Sequence, residues 1–134
     1  MPKHKTTTKD YATFKETIVK WMRTFGLTDW QLETQHKEIP DHESGSAACA
    51  ITNFDISARS VLFTLNTTWL RPAPSLEIEA VAFHEVVHLL LAPLTSEATN
   101  RYTTHAVLES IEESIVVRLE NAFMSTTLSF RPQN

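Results

Sequence analysis

The chain has 134 residues, a formal net charge of −4, 42% hydrophobic residues and 9% aromatic residues. That length and apolar share suit one domain with one core, spanning residues 1–134. The acidic balance offers no attraction for nucleic acid or an anionic membrane, so neither is expected as a partner. One cysteine, Cys49, excludes an internal disulfide and fits a reducing compartment. The polar start MPKHKTTTKD lacks the apolar stretch of a secretory signal, and no apolar run approaches the roughly 20 residues of a membrane span. A cytoplasmic protein is expected, with nothing to fix its oligomeric state.

In chain order, residues 1–9 are expected to be disordered. From Asp10, a plausible N-cap, the repeat Tyr11, Phe14, Ile18, Trp21, Phe25 predicts an amphipathic helix that Gly26 closes. The run W30-QLETQHKE-I39 alternates in its first half and predicts a strand. P40-DHESG-S46 is turn chemistry, and its acidic D41-H-E43 triplet suits a solvated loop. A47–F54 and S60–N66 are two further strands, and the short D55–R59 link makes them an antiparallel hairpin. After R71-PAP-S75, Ser75 is placed to cap a helix that runs to about Ala92, where Pro93 stops it. A polar connection through Thr95 and Ser96 leads to a long helix ending near Met124. The order predicts an α+β fold: a small three- to four-stranded sheet packed on an N-terminal helix and a central helix, followed by a long C-terminal helix.

The central helix carries the chemistry. H84-E-V-V-H88 fits H-E-x-x-H. Residues four apart share a helical face, so both imidazoles can address one metal ion. Glu85, about 100° round from His84, is placed to approach a metal-bound water instead. Zn²⁺ suits imidazole donors and keeps a position open for water in catalytic sites. His84 and His88 are therefore the expected metal ligands and Glu85 the expected general base. The motif is short enough to arise by chance. It stands, however, inside an apolar helical segment where unpartnered His and Glu would be costly to bury.

A third ligand has to come from elsewhere. In the last helix the apolar stripe Leu108, Ile111, Ile115, Val116, Leu119, Phe123 surrounds Glu112, a carboxylate that would be expensive there unless bound. Glu112 is the first choice. Glu109, with Glu113 one turn on as its partner, stands as an alternative, as do Glu113 itself and His105. Arg101, Tyr102 and His105 are the nearest groups in sequence for an oxyanion. Trp21, Trp30 and Trp69 read as packing residues, Cys49 as a buried inert thiol, and His36 and His42 as exposed groups flanking a turn.

With H84-E-V-V-H88 followed by a glutamate on the next helix, the chain resembles a minimal zincin of the gluzincin type. F83-HEVVHLLLA-P93 and E112-ESIVVRLEN-A122 are also similar to small metallopeptidases encoded by bacteriophages, which would put the protein in the host cytoplasm. The resemblance covers about residues 60–123. It implies a zinc-dependent peptidase with His84, His88 and Glu112 as ligands and Glu85 as base. It further implies a mixed sheet beside the motif helix whose edge strand, S60–N66, takes up a peptide or protein substrate as an added strand. The longer metzincin signature is absent, since L89-LLAP-L94 follows His88. Two other functions stay open: a zincin-like binding or regulatory protein that keeps the metal without catalysis, and a metal-free structural protein.

Overall fold

The computed structural model describes residues 3–40 and 48–128, the side chains of the last four of these excepted. The expected turn at 41–46, with His42 and the acidic triplet, lies outside the described residues. The elements in order are β1 (His4–Lys5), α1 (Thr8–Thr24), β2 (Gln31–Lys37), β3 (Ala50–Asp55), β4 (Ser60–Asn66), β5 (Thr68–Trp69), α2 (Ser75–Ala98) and α3 (His105–Leu128). The fold is α+β, with a three-stranded sheet, a separate two-stranded one and a long C-terminal helix.

The N-terminal segment from residue 3 is ordered. His4 and Lys5 pair antiparallel with Trp69 and Thr68, and the Thr6 hydroxyl donates to Asn66 O at 2.9 Å. Thr7, not Asp10, caps α1. Asp10 N–H donates to Thr7 Oγ1 at 3.0 Å and Thr7 N–H donates to Asp10 Oδ2 at 2.8 Å. This reciprocal box satisfies two donors at once, so it displaces the simpler cap three residues later. Gly26, at φ +69°, ends the helix as expected. His36 is half-buried, its ring stacked on Tyr11 at 5.1 Å and its Nε2 2.6 Å from Thr6 Oγ1, so it is not a solvated turn residue.

The sheet has the order β2-β4-β3, with β2 and β4 parallel and β3 antiparallel to β4. S60–N66 is thus the central strand, not the edge. Its Val61, Phe63, Thr64, Leu65 and Asn66 are all buried, the composition of a strand covered on both sides. Both β2 and β3 are edges, and β3, which pairs with no further strand among the described residues, is the one packed against α2. Asn66 N–H donates to Cys49 O at 2.9 Å. By antiparallel alternation, Ala50, Thr52 and Phe54 then turn their backbone groups away from β4.

α1 packs along α2, and α2 rests on β3. Phe14 and Ile18 from α1, Phe63 and Leu65 from β4, and Ile78, Ala82, Val86 and Leu89 from α2 are fully buried at their junction. Pro74 is the N-cap of α2 with no side-chain cap, and Ser75 is its first residue. Pro93 does not end α2, which continues to Ala98. A proline inside a helix costs about 3 kcal/mol. Burial of Leu89, Leu90 and Ala92 around it offsets that cost. Thr95 and Ser96 are helical, and the break comes only at Thr99. Among the described residues, α2 is the one helix long and apolar enough to cross a membrane, but its apolar side is the core of this fold.

α3 turns Ile115, Leu108, Ile111, Arg118 and Ala122 inward, a narrower stripe than the sequence suggested. Arg118 Nη1 donates to Phe25 O at 2.9 Å and to Gly26 O at 2.6 Å, clamping α3 to the end of α1. Trp21, Phe25, Phe83 and Phe123 form an aromatic cluster across α1, α2 and α3. Val116, Leu119 and Phe123 are 39%, 37% and 56% exposed, so the outer flank of α3 is only partly covered. Trp30 and Trp69 are buried packing residues, as expected, and Trp69 Nε1–H donates to Cys49 O at 3.1 Å.

Candidate metal centre

α2 presents two faces in the middle of its length. Val86, Leu89 and Ala82 anchor one in the core, which fixes the rotation of the helix. His84 and His88 then stand on the adjoining exposed face, and Glu85 points sideways toward β3. The sequence placed all three polar groups in an apolar environment. Only Glu85 is buried, at 6% exposure, whereas the His84 side chain is 67% exposed.

The two imidazoles converge: Nε2 of His84 and Nε2 of His88 lie 3.1 Å apart. Two bonds of about 2.0–2.1 Å meeting near the tetrahedral angle would set such nitrogens roughly 3.3 Å apart. The spacing therefore fits one shared ion with little adjustment. Glu85 Oε2 is 4.0 Å from His84 Nε2, too far for a tight contact and far enough for a water between them. With Glu85 included, the donor atoms of the group lie within 4.8 Å of one another.

Glu85 is held from the sheet. Thr52 Oγ1, on the β3 edge strand, lies 2.7 Å from Glu85 Oε1 and 3.2 Å from Glu85 O. One carboxylate oxygen thus accepts a hydrogen bond while the other is left toward His84. Burial pushes the Glu85 carboxyl above the usual range, opposed by the Thr52 hydrogen bond and by His84 and His88. Sequence reasoning did not find Thr52. Nothing local marks it, because the contact joins residues 33 apart through the packing of α2 on β3.

Two depressions flank the group along the line between β3 and α2. One, of about 280 Å³, is lined by Ile51, Thr52, Phe54, Glu85, His88, Ala92 and Thr95. The other, of about 340 Å³, is lined by Cys49, Ala50, Arg71, Glu77, Val81, His84 and Glu85. Together they make a groove beside the outer edge of β3, with the His84–Glu85–His88 group, which could hold a metal ion, at its centre.

Comparison with protein-family models, curated proteins and solved structures finds no match to this chain. The chemistry of the group therefore rests on its own geometry.

The remaining sequence candidates are not brought to the histidine pair. Glu112 is exposed on α3: it follows Ile111 by one helical step, which turns it about 100° out of the buried stripe. Glu109 is exposed and pairs with His105 at 2.9 Å, one turn apart on the same helix. Glu113 is also exposed. Tyr102, 79% exposed, stacks with Arg101 on the link between α2 and α3; neither lines the groove, and nor does His105. Cys49 is only half-buried and borders the cavity near His84. Burial is the main cause that raises its thiol pKa, so the expected inertness has a cause even though full burial does not hold.

Proposed function

We propose that the protein is a zinc-dependent peptidase in which His84 and His88 hold the metal and Glu85 serves as general base. The observation that carries the reading is the 3.1 Å convergence of the two Nε2 atoms, with the buried carboxylate of Glu85 4.0 Å from one of them. Bound there, zinc would polarise a scissile carbonyl and lower the pKa of water toward about 7. Glu85 takes the proton of the attacking water through its free oxygen, while Thr52 holds the other oxygen still. The same carboxyl then returns the proton to the leaving amine. A peptide substrate would lie along β3, taking hydrogen bonds from the backbone groups that Ala50, Thr52 and Phe54 turn outward.

The third ligand remains assigned to Glu112 from sequence, with Glu109, Glu113 and His105 beside it. Glu112 is exposed, so this part of the proposal requires α3 to turn toward the pair. Zinc retention in Glu112→Ala, Glu109→Ala and Glu113→Ala decides it: selective loss in the first supports Glu112, and retention there removes it from the site.

The groove is shallow on both sides of the pair, which also favours a second reading, a metal-holding module that binds a protein without cutting it. Glu85→Gln separates the two. In a peptidase the variant keeps its zinc and loses about 10²–10⁴-fold in turnover. Undiminished biological activity in that variant would show that hydrolysis is not the function.

A further inference from the structure

The cavity on the His84 side contains a cation that the hydrolytic chemistry leaves unused. Arg71 stands on the link between β5 and α2, with its guanidinium 5.8 Å from the Trp69 ring centre and Nη2 3.4 Å from Glu77 Oε1. Trp69 is 1% exposed and tied by its ring N–H to Cys49 O, so it is a fixed platform for the guanidinium. Arg71 thereby borders the same 340 Å³ cavity as Val81, His84 and Glu85. The Glu77 contact does not consume it. The two side chains are 58% and 39% exposed, and so solvent-screened a pair holds its partners only weakly. It also engages one corner of a planar fork whose other N–H groups match a carboxylate. Among the described residues, the cavity on the His88 side has no lysine or arginine in its lining. Among the described residues the groove is therefore asymmetric, with a guanidinium at the His84 end and none at the other.

The spacing sets a register. Glu77 precedes His84 by seven residues, roughly 10 Å along the helix at about 1.5 Å per residue. An extended peptide covers that in about three residues.

We propose that Arg71 is a specificity residue that reads a substrate carboxylate, from an acidic side chain or a chain terminus, two or three residues from the scissile bond on the His84 side. This rests on the zinc-peptidase reading and names its substrate class as acidic peptides. The net charge of −4 opposes non-specific attraction of such peptides, so a preference for them must come from a local cation.

The test is a binding titration of the zinc-loaded full chain with peptide hydroxamates. The hydroxamate occupies the metal, and the peptide carries Glu, its Gln counterpart, or a free or amidated C-terminus two or three residues away. The acidic probes should bind at least about tenfold tighter than their neutral counterparts, the scale of a charge-assisted hydrogen bond. Comparing the Glu probe with the free-terminus probe shows which source of carboxylate is read. Arg71→Ala should bring acidic and neutral probes within about twofold, Arg71→Lys should keep part of the preference, and Arg71→Glu should reverse it toward a Lys-bearing probe. Equal binding of acidic and neutral probes to the zinc-loaded wild type, or a preference that survives Arg71→Ala, overturns the Arg71 assignment and leaves the metal reading standing. A chain that takes up no zinc overturns both.

Discussion

In the proposed peptidase, the Thr52–Glu85 contact is what positions the base. The Thr52 hydroxyl contacts a carboxylate that is 6% exposed, and a buried acceptor stripped of its donor costs about 1–3 kcal/mol. Thr52→Val should lower the urea-unfolding stability of the metal-free protein by that amount. It should also push the Glu85 carboxyl further up, because the hydrogen bond is one of the influences holding it down. A general base works only when ionised, so on the peptidase proposal the acid limb of the activity profile should move to higher pH. His36 gives a second titration. Burial lowers its pKa, against an opposing pull from Asp10, so the unfolded chain takes up the proton first, near the ordinary value of about 6.5. Stability should therefore fall as pH drops below that value, and His36→Gln should flatten the slope in denaturant titrations across pH 7 to 5.

At the level of elements, the join between α1 and α3 is the most exposed to test. Gly26 sits at φ +69°, and a Cβ there would stand 3.1 Å from Arg118 Nη1. Gly26→Ala should destabilise by about 1–2 kcal/mol from backbone strain. Part of that cost should vanish in an Arg118→Ala background, where the second contact is gone; a double-mutant cycle reads the coupling. The elements were largely legible in the sequence because period-2 and period-3.6 patterns are local. β4 matches its expected bounds, and the motif helix stands where the apolar run put it. Two misreadings have a common cause. Pro93 lies inside α2 because burial around it outweighs the lost bond, and S60–N66 is central because β3 packs outside it. Neither outcome can be seen in a single segment. Glu112, expected on the buried face, is exposed for the same reason: the face α3 buries is chosen by Arg118 and Ile115 docking on α1 and α2, not by the densest apolar stripe.

For the whole molecule, α2 is both the central helix of the core and the carrier of the candidate site. Zinc bound across its exposed face should therefore stabilise the fold as a unit. At about 100 times the dissociation constant the gain is about 2.7 kcal/mol, seen as a zinc-dependent rise in Tm that His88→Ala abolishes. The sequence made His84, Glu85 and His88 legible as a set, since one helix holds all three. Thr52 and the groove along β3 were not, because they arise only when strand and helix meet. The most direct test of the central claim is the zinc content of the purified chain, measured by elemental analysis beside His84→Ala. One zinc per chain, lost in the variant, is the expected result. A wild type with no bound zinc, or a variant that keeps it, would contradict a metal centre built on the two histidines.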